Sequence, residues 1–248
     1  MEEALRPSPA LSKQAHRLYR SVTMRAQYLS HDRADIAFAT KECARWMHAP
    51  EDKHLTRLKR IGRYLIGKPR VIQVFKPQKV PTKITSKSDT DHAGCVSTRK
   101  SSSGTALFHG RNALKTISTT QATLSLSSGE SEYSGLVKAT SAGLGMQSMA
   151  EDMGYKLELD VETDSNAAKG MASRRGIGKV RHLASRLLWI QQVVAERLCK
   201  IFKIPGKLNV ADLLTKHLPA ADIDKCMQLL GCYYPKGVGT DSVKIVNV

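Results

Sequence analysis

The sequence predicts an α/β (α+β) fold: a five-stranded mixed sheet flanked by helices and preceded by a small helical region. Three observations support this prediction. Apolar residues recur at helical spacing before residue 70, three short apolar runs follow between residues 84 and 120, and helical and strand-like segments alternate from residue 128 to residue 218. The order after residue 83 is therefore βββ-α-β-α-α-β-α, which is typical of helices packed on one sheet.

Residues 1–70 form the predicted helical region. Its apolar pattern runs over Ala15–Gly67, with a break around Ser30–Asp32 and a restart at Pro50, a residue type favoured at the start of a helix. The helix predicted after Pro50 carries basic residues over Lys53–Arg63. These residues form either a solvated helix surface or a surface facing phosphates. Residues 71–83 are predicted to be a linker.

Residues 84–218 form the predicted sheet domain, and residues 219–248, which are polar and net neutral, the predicted C-terminal tail. The first three strands are separated by Ser, Gly and Asn and predict an antiparallel meander. A long helix then begins at Ser128 and ends near Gly154. The strands are predicted over Ile84–Ser88, Gly104–His109, Leu114–Thr120, Leu157–Val161 and Ile201–Ile204, and the later helices over Ser165–Ala172, Val180–Leu198 and Asn209–Leu218.

Composition narrows the function classes. The 248 residues include 39 Lys and Arg against 22 Asp and Glu, a formal net charge of +17 that favours polyanionic partners such as nucleic acid. The sequence has neither an apolar run of about 18 residues nor an apolar N-terminal stretch, so we expect no membrane association. The five cysteines are scattered and lack a Cys-x-x-Cys pair, which argues against a disulfide framework or a zinc site. We therefore expect an intracellular protein, in the cytoplasm or the nucleus.

Four acidic residues fall where the predicted elements begin or end. Asp89 closes the first strand, Glu132 lies in the first turns of the long helix, Asp164 closes the fourth strand, and Asp212 opens the last helix. Strand ends and helix starts at one sheet edge are where such folds gather functional side chains. Four neighbouring carboxylates repel one another, and Mg²⁺ or Mn²⁺ would relieve that repulsion.

Each acid also has a structural explanation that the sequence leaves open. Asp164 could cap the helix that follows it, Asp212 could complete a capping box with Asn209, and Asp89 could lie in a turn. For the two glutamates of the long helix, Ser127 as N-cap makes Glu130 the capping-box partner. Glu132 is therefore the better metal ligand.

A family resemblance rests on short motifs in a fixed order. Residues 88–218 closely resemble the ribonuclease H domain of copia-type LTR retrotransposon polyproteins, and residues 28–65 are similar to the end of their reverse transcriptase. The first stretch carries the motifs Ser-Asp-Thr-Asp-His-Ala-Gly (88–94), Leu-Ser-Ser-Gly-Glu-Ser-Glu-Tyr (126–133), Thr-Asp-Ser-Asn-Ala-Ala (163–168), Lys-Val-Arg-His (179–182) and Ala-Asp-Leu-Leu-Thr-Lys (211–216). The second carries Tyr-Leu-Ser-His-Asp-Arg-Ala-Asp-Ile-Ala-Phe-Ala (28–39) and Leu-Lys-Arg-Ile-Gly-Arg-Tyr-Leu (58–65).

The resemblance implies a metal-dependent endonuclease that hydrolyses the RNA strand of RNA–DNA hybrids. It places two Mg²⁺ ions, or Mn²⁺, on four catalytic residues: Asp89, Glu132, Asp164 and Asp212. Residues 1–70 would be a remnant of the reverse-transcriptase thumb or connection. No polymerase activity is expected, because the chain lacks both an Asp-Asp dipeptide and a polymerase palm. A polymerase domain or a larger ribonucleoprotein would be the partner.

A basic loop after the short helix is the predicted nucleic-acid contact. Phosphate contacts position a substrate without reading its sequence. His182 either contacts the substrate backbone or packs at a helix start. The predicted contacts are Arg174, Arg175, Lys179, Arg181 and His182. The alternative to an enzyme is a non-catalytic, domesticated or decayed fragment that acts as an RNA-binding or structural subunit of a larger particle.

Overall fold

The computed structural model describes residues 8–178, 180, 182 and 185–235. The described part contains seven α-helices, seven strands and short 3-10 turns. The helices are α1 (Lys13–Leu29), α2 (Ala34–Ala44), α3 (Asp52–Gly67), α4 (Ser128–Asp152), α5 (Asn166–Ser173), α6 (Trp189–Ala195) and α7 (Ala220–Leu229). The strands are β1 (Ile72–Gln73), β2 (Lys83–Thr90), β3 (Ser102–His109), β4 (Asn112–Thr120), β5 (Glu158–Thr163), β6 (Lys200–Lys203) and β7 (Cys232–Tyr233).

The main sheet has five strands in the order β4-β3-β2-β5-β6. Strands β2, β3 and β4 form the antiparallel meander, whereas β5 and β6 run parallel to β2. This arrangement confirms the predicted ribonuclease H-like mixed sheet flanked by helices. In the central pair, Ser88 of β2 lies opposite Thr163 of β5, so both strands end at the same edge. Asp89 and Asp164 therefore emerge side by side.

Helix α4 covers one face of the sheet and reaches the end of β2. Its residues Tyr133 and Leu136 are fully buried in one core cluster with Leu159 of β5. The approach is close at Gly135, where a Cβ atom would come within 2.3 Å of the Thr90 side chain. A glycine is thus required at this position for α4 to hold Glu132 beside the end of β2.

The N-terminal helices contribute to two hydrophobic clusters, one among themselves and one shared with the sheet. Their own cluster contains Tyr19 of α1, Ile36 of α2 and Leu58 of α3. In a second cluster, α2 contributes small side chains that join Phe108 of β3 and Leu214. The helical region was predicted as a separate unit, but its middle helix packs directly on the sheet domain.

The predicted tail is wrong for residues 219–235. Helix α7 is held by Met227, which is fully buried, and strand β7 pairs with β1 so that Ile72 lies opposite Tyr233. The same pairing makes part of the predicted linker 71–83 a strand. Apolar residues at positions 223, 226, 227 and 230 have helical spacing, and this signal outweighs the Gly and Pro content that favoured a tail. Residues 236–248 lie outside the described part.

In two places the observed helix differs in length or type from the predicted one. Of the segment predicted as one helix over 180–198, the described residues form a 3-10 turn (Ser185–Leu188) and the short helix α6. This helix ends where Arg197 adopts a left-handed backbone conformation with φ of 61°. The predicted last helix is a single 3-10 stretch, Val210–Leu214, whose first turn Asn209 caps. Both differences arise from local backbone geometry that apolar spacing does not report.

Because α7 contributes to the core, truncating one of its buried side chains should lower the free energy of unfolding. We expect Met227→Ala to lower the free energy of unfolding by about 2–4 kcal/mol, since the side chain is fully buried. Urea unfolding measures the difference. Leu229→Ala, on the exposed side of the same helix, is the matched control and should change stability by less than about 1 kcal/mol. Equal effects of the two substitutions would show that α7 is not packed as described.

Candidate metal centre and active site

Three carboxylates from three elements meet at the edge where β2 and β5 end. One oxygen each of Asp89, Glu132 and Asp164 lies within 4.8 Å of the others. Asp89 is buried because it is still within β2, and Glu132 is buried because α4 packs on the sheet. Asp89 and Asp164 lie side by side, as expected for acids that close strands ending at one edge of the sheet.

The electrostatics of this group favour a bound cation. Burial, followed by the charges of Asp89 and Asp164, raises the pKa of Glu132 to about 8. Burial also raises the pKa of Asp89 to about 6, although the ammonium of Lys216 opposes this shift. The Oε2 atom of Glu132 is buried and has no hydrogen-bond partner within the described ranges. A hard divalent cation with oxygen ligands would both partner this atom and neutralise the group, so the donor set fits Mg²⁺ or Mn²⁺.

Asp212 is not a member of this three-carboxylate group but is connected to it by Lys216. The Nζ atom of Lys216 lies 2.7 Å from Oδ1 of Asp212 and 3.3 Å from Oδ2 of Asp89. The structure therefore brings Asp212 close to Asp89, with an ammonium group bridging the two carboxylates. A cation held by both carboxylates would have to displace this ammonium.

Sequence reasoning missed Lys216 and its neighbour Thr215. The hydroxyl of Thr215 donates a hydrogen bond to Oδ2 of Asp89. Asn209 fixes the same turn, because its Nδ2 donates to the backbone oxygen of Ser88 at 2.8 Å. The available signal was the spacing of Asp212 and Lys216, which are four residues apart within the predicted helix Asn209–Leu218, where residues at this spacing share a face.

Glu130 has a different environment from Glu132. Ser127 caps α4 as predicted, since its Oγ accepts from the backbone nitrogen of Glu130 at 3.2 Å. The carboxylate of Glu130 does not return to Ser127, however; it accepts from the backbone nitrogen of Leu126 at 2.8 Å. It also contacts Nε2 of His182 at 3.0 Å. Among the described residues, His182 thus ties the basic loop to the start of α4.

The rest of the basic loop is only partly described. The guanidinium of Arg174 donates to the backbone oxygen of Ile177 at 2.7 Å and so closes the loop on itself. Arg175 is exposed. Gln191 of α6 holds the loop through the backbone nitrogen of Gly176 at 2.8 Å. Lys179 and Arg181 lie outside the described residues.

Removing the bridging ammonium should affect the stability of the metal-free protein more than that of the metal-bound protein. We expect Lys216→Met to lower the free energy of unfolding by about 1–2 kcal/mol in EDTA, because buried Asp89 loses a charged partner. The loss should shrink with saturating Mg²⁺, since the cation no longer competes with the ammonium. Urea unfolding in both conditions checks this. Lys207→Met is the exposed control; an equal loss with and without Mg²⁺ for Lys216→Met would contradict the bridging role.

The chain has sequence relatives among known proteins. No family model matches the chain. The chain is 28% identical over 203 residues to the retrovirus-related Pol polyprotein of transposon TNT 1-94 from Nicotiana tabacum. It is 27% identical over 203 residues to the corresponding polyprotein of transposon RE1 from Arabidopsis thaliana. The chain is a homologue of copia-type retrotransposon Pol polyproteins. The resemblance inferred from the motifs is thereby confirmed.

This Pol homologue corresponds to a small part of those polyproteins. The alignments cover 81% of the chain but only 15% and 14% of the two relatives. An uncharacterised mitochondrial protein of Arabidopsis thaliana is 35% identical over 119 residues, which are 48% of the chain and 49% of that protein.

Solved ribonuclease H structures are also similar to the Pol homologue. The LC11 ribonuclease H1 in complex with an RNA/DNA hybrid has a TM-score of 0.39 and 21% identity, covering 54% of the chain and 94% of that structure. The N-terminal ribonuclease H domain of a Mycobacterium tuberculosis protein has a TM-score of 0.38 and 22% identity, covering 60% of the chain and 98% of that structure.

Within the described ranges, no helix is both long and apolar enough to cross a bilayer.

Proposed function

We propose that this Pol homologue is a divalent-metal-dependent ribonuclease H that hydrolyses the RNA strand of RNA–DNA hybrids, as part of a copia-type reverse transcriptase. The observation that carries the proposal is the meeting of Asp89, Glu132 and Asp164 within 4.8 Å at one edge of a ribonuclease H-like sheet. Burying carboxylates together costs stability unless a cation neutralises them. Such an arrangement therefore favours a metal site.

Asp89, Glu132 and Asp164 would hold one Mg²⁺, and Asp89 with Asp212 would hold a second. Bound divalent cations stabilise the charge that develops on a phosphodiester during hydrolysis and promote ionisation of the attacking water. The protein supplies the rigidity. Asp89 is fixed by the hydroxyl of Thr215, and Glu132 is fixed by the packing of α4 on the sheet. The carboxylates would thus be oriented before the substrate arrives.

Substrate binding would be mainly electrostatic. The net charge of +17 suits a polyanionic substrate. We propose that Arg175, together with Lys179, Arg181 and His182, contacts phosphates close to the start of α4, because His182 already bonds Glu130 there. Arg174 would act by holding the loop in shape, since its guanidinium bonds the Ile177 carbonyl.

The salt dependence of hybrid binding tests whether the basic loop contacts phosphates. We expect Arg175→Glu to weaken hybrid binding and to reduce the slope of log affinity against log salt by about 1, the value for one lost phosphate contact. Fluorescence anisotropy of a labelled hybrid at several salt concentrations gives the slope. Lys156→Glu makes the same charge change at an exposed site before β5, at the opposite end of that strand, and is the control. If both variants shift the slope equally, the effect comes from net charge and the loop is not part of the interface.

The activity itself is tested with four labelled substrates: an RNA–DNA hybrid, duplex DNA, duplex RNA and single-stranded RNA. The proposal predicts cleavage of the RNA strand of the hybrid in Mg²⁺ or Mn²⁺, none in EDTA, and much slower cleavage of the other three. Labelling each hybrid strand separately identifies the strand that is cut. Hybrid binding without cleavage under any of these conditions would favour a non-catalytic fragment.

A further inference from the structure

A cavity of about 520 Å³ lies between α2, α3 and the loop of residues 94–97. It is lined by none of the four candidate catalytic acids. Its volume is within the range of small-molecule sites, which is about 300–1,000 Å³. The residues that matter for its chemistry are Trp46, His54, Arg57, Arg60, Tyr64 and Val96.

Helix α3 presents hydrogen-bond donors to this cavity. His54, Arg57 and Arg60 are spaced three residues apart, so they share one side of the helix. His54 is 1% exposed, and its Nδ1 accepts from the backbone nitrogen of Glu51 at 2.9 Å. The ring proton is therefore on Nε2, which is buried and has no partner in the described part of the chain. Burial, with the charge of Arg57, lowers the pKa of His54 to about 4, so the ring stays a neutral donor.

The charges around the cavity leave an excess of positive charge. Among the described residues, Arg57 and Arg60 make neither a hydrogen bond nor an ion pair. The two carboxylates of the wall are already neutralised, each within its own cluster. Asp35 bonds Arg33, Tyr64 and Tyr234, and Glu42 bonds Lys41 and Arg45. The donors of α3 are thus available to an anionic ligand.

The remaining wall is aromatic and apolar. Trp46 stacks on the ring of His54 with 4.3 Å between ring centroids and 14° between planes. Ile36, Ile61 and Val96 complete this wall. A cavity with cationic donors on one side and flat apolar surfaces on the other suits a ligand that joins an anion to a planar ring.

We propose that this cavity binds a nucleotide phosphate, with the phosphate oxygens on Arg57, Arg60 and Nε2 of His54 and the base against the aromatic and apolar wall. Three donors match the several oxygens of a phosphate better than the two of a carboxylate. The proposal is independent of the nuclease activity, because it uses none of the catalytic acids. The phosphate could belong to a free nucleotide or to the end of a nucleic-acid strand.

Calorimetric titration of the full chain with adenosine 5′-monophosphate, inorganic phosphate and glutamate tests the class of ligand. We expect saturable binding of the nucleotide near one site per chain, weaker binding of phosphate, and little binding of glutamate. Charged hydrogen bonds of about 1.5–3 kcal/mol correspond to at least a tenfold loss in the double variant Arg57→Gln with Arg60→Gln. Arg63→Gln, an exposed arginine of the same helix outside the cavity, should bind like wild type. A urea midpoint close to that of wild type verifies folding of each variant.

Three results would overturn the proposal: no saturable nucleotide binding, glutamate binding as tight as that of the nucleotide, or an equal loss in Arg63→Gln. A second arm compares hybrids with a 5′-phosphate and a 5′-hydroxyl for competition with the nucleotide. Competition by the phosphorylated hybrid alone identifies a strand end as the source of the phosphate. Competition by neither hybrid identifies the free nucleotide, and competition by both equally would contradict phosphate recognition in the cavity.

Discussion

Asp89→Asn is expected to lower the rate of hybrid cleavage at least about 1,000-fold, since losing a shared metal ligand removes several kcal/mol of charge stabilisation. Hybrid affinity should change by less than about threefold, because no phosphate-contacting cation is lost. The substitution keeps the shape of the side chain, and its amide oxygen can still accept from the hydroxyl of Thr215. Single-turnover cleavage and fluorescence anisotropy of the same hybrid measure the two effects separately.

The glutamates of α4 provide the matched control for this prediction. Glu132→Gln should lose activity like Asp89→Asn, whereas Glu130→Gln should retain it, because a Gln oxygen still accepts from the backbone nitrogen of Leu126. Loss of activity in Glu130→Gln with activity kept in Glu132→Gln would mean that the wrong glutamate has been assigned. Loss of hybrid binding in Asp89→Asn would show that the two functions do not separate.

The second large effect is on stability without metal. In EDTA, the free energy of unfolding should fall as pH rises from about 5 to about 8. The folded-state pKa of Glu132 is about 8, above its ordinary unfolded value, so the native state binds more protons in this range and loses stability as they leave. Asp89, with a folded-state pKa of about 6, adds to the fall at the acidic end of that range. Mg²⁺ should reverse the trend because it binds the ionised carboxylates.

Glu132→Gln isolates the contribution of this one group. The variant should be more stable than wild type by about 2–4 kcal/mol at about pH 8 in EDTA, and by much less near pH 5. Urea unfolding at both pH values, with and without Mg²⁺, gives the comparison. Glu151→Gln, an exposed carboxylate of the same helix, should keep the wild-type pH profile. A Glu132→Gln variant with an unchanged profile would contradict the raised pKa.

The antiparallel meander and the meeting of two acids were predictable from the sequence. The meander between residues 84 and 120 has clear turn residues, and parallel neighbouring strands bring Asp89 and Asp164 to one edge. Glu132 was selected over Glu130 because Ser127 was predicted to cap α4, and it does, although the Glu130 carboxylate accepts from the backbone nitrogen of Leu126 and not from that of Ser127. These features follow from short-range patterns and from a small set of possible topologies.

The features that were missed depend on long-range packing. Lys216 follows Asp212 by one helical turn, yet its second contact, with Asp89, joins residues 127 positions apart. Likewise, α2 contributes to the sheet's core through small side chains, Ala34 and Ala37, which have weak hydrophobic signals. Helix α7 had a detectable apolar spacing that its polar composition obscured. Sequence patterns report which face of an element is apolar but not which neighbour covers it.

The central claim is that the buried carboxylates at the ends of β2 and β5 form a divalent-cation site. Anomalous diffraction from crystals grown with Mn²⁺ tests this claim most directly, because it locates the ion independently of activity. We predict a Mn²⁺ peak in direct contact with oxygens of Asp89, Glu132 and Asp164, and no such peak in crystals of Glu132→Gln. Wild-type crystals with Mn²⁺ bound elsewhere, and none at these three carboxylates, would contradict it.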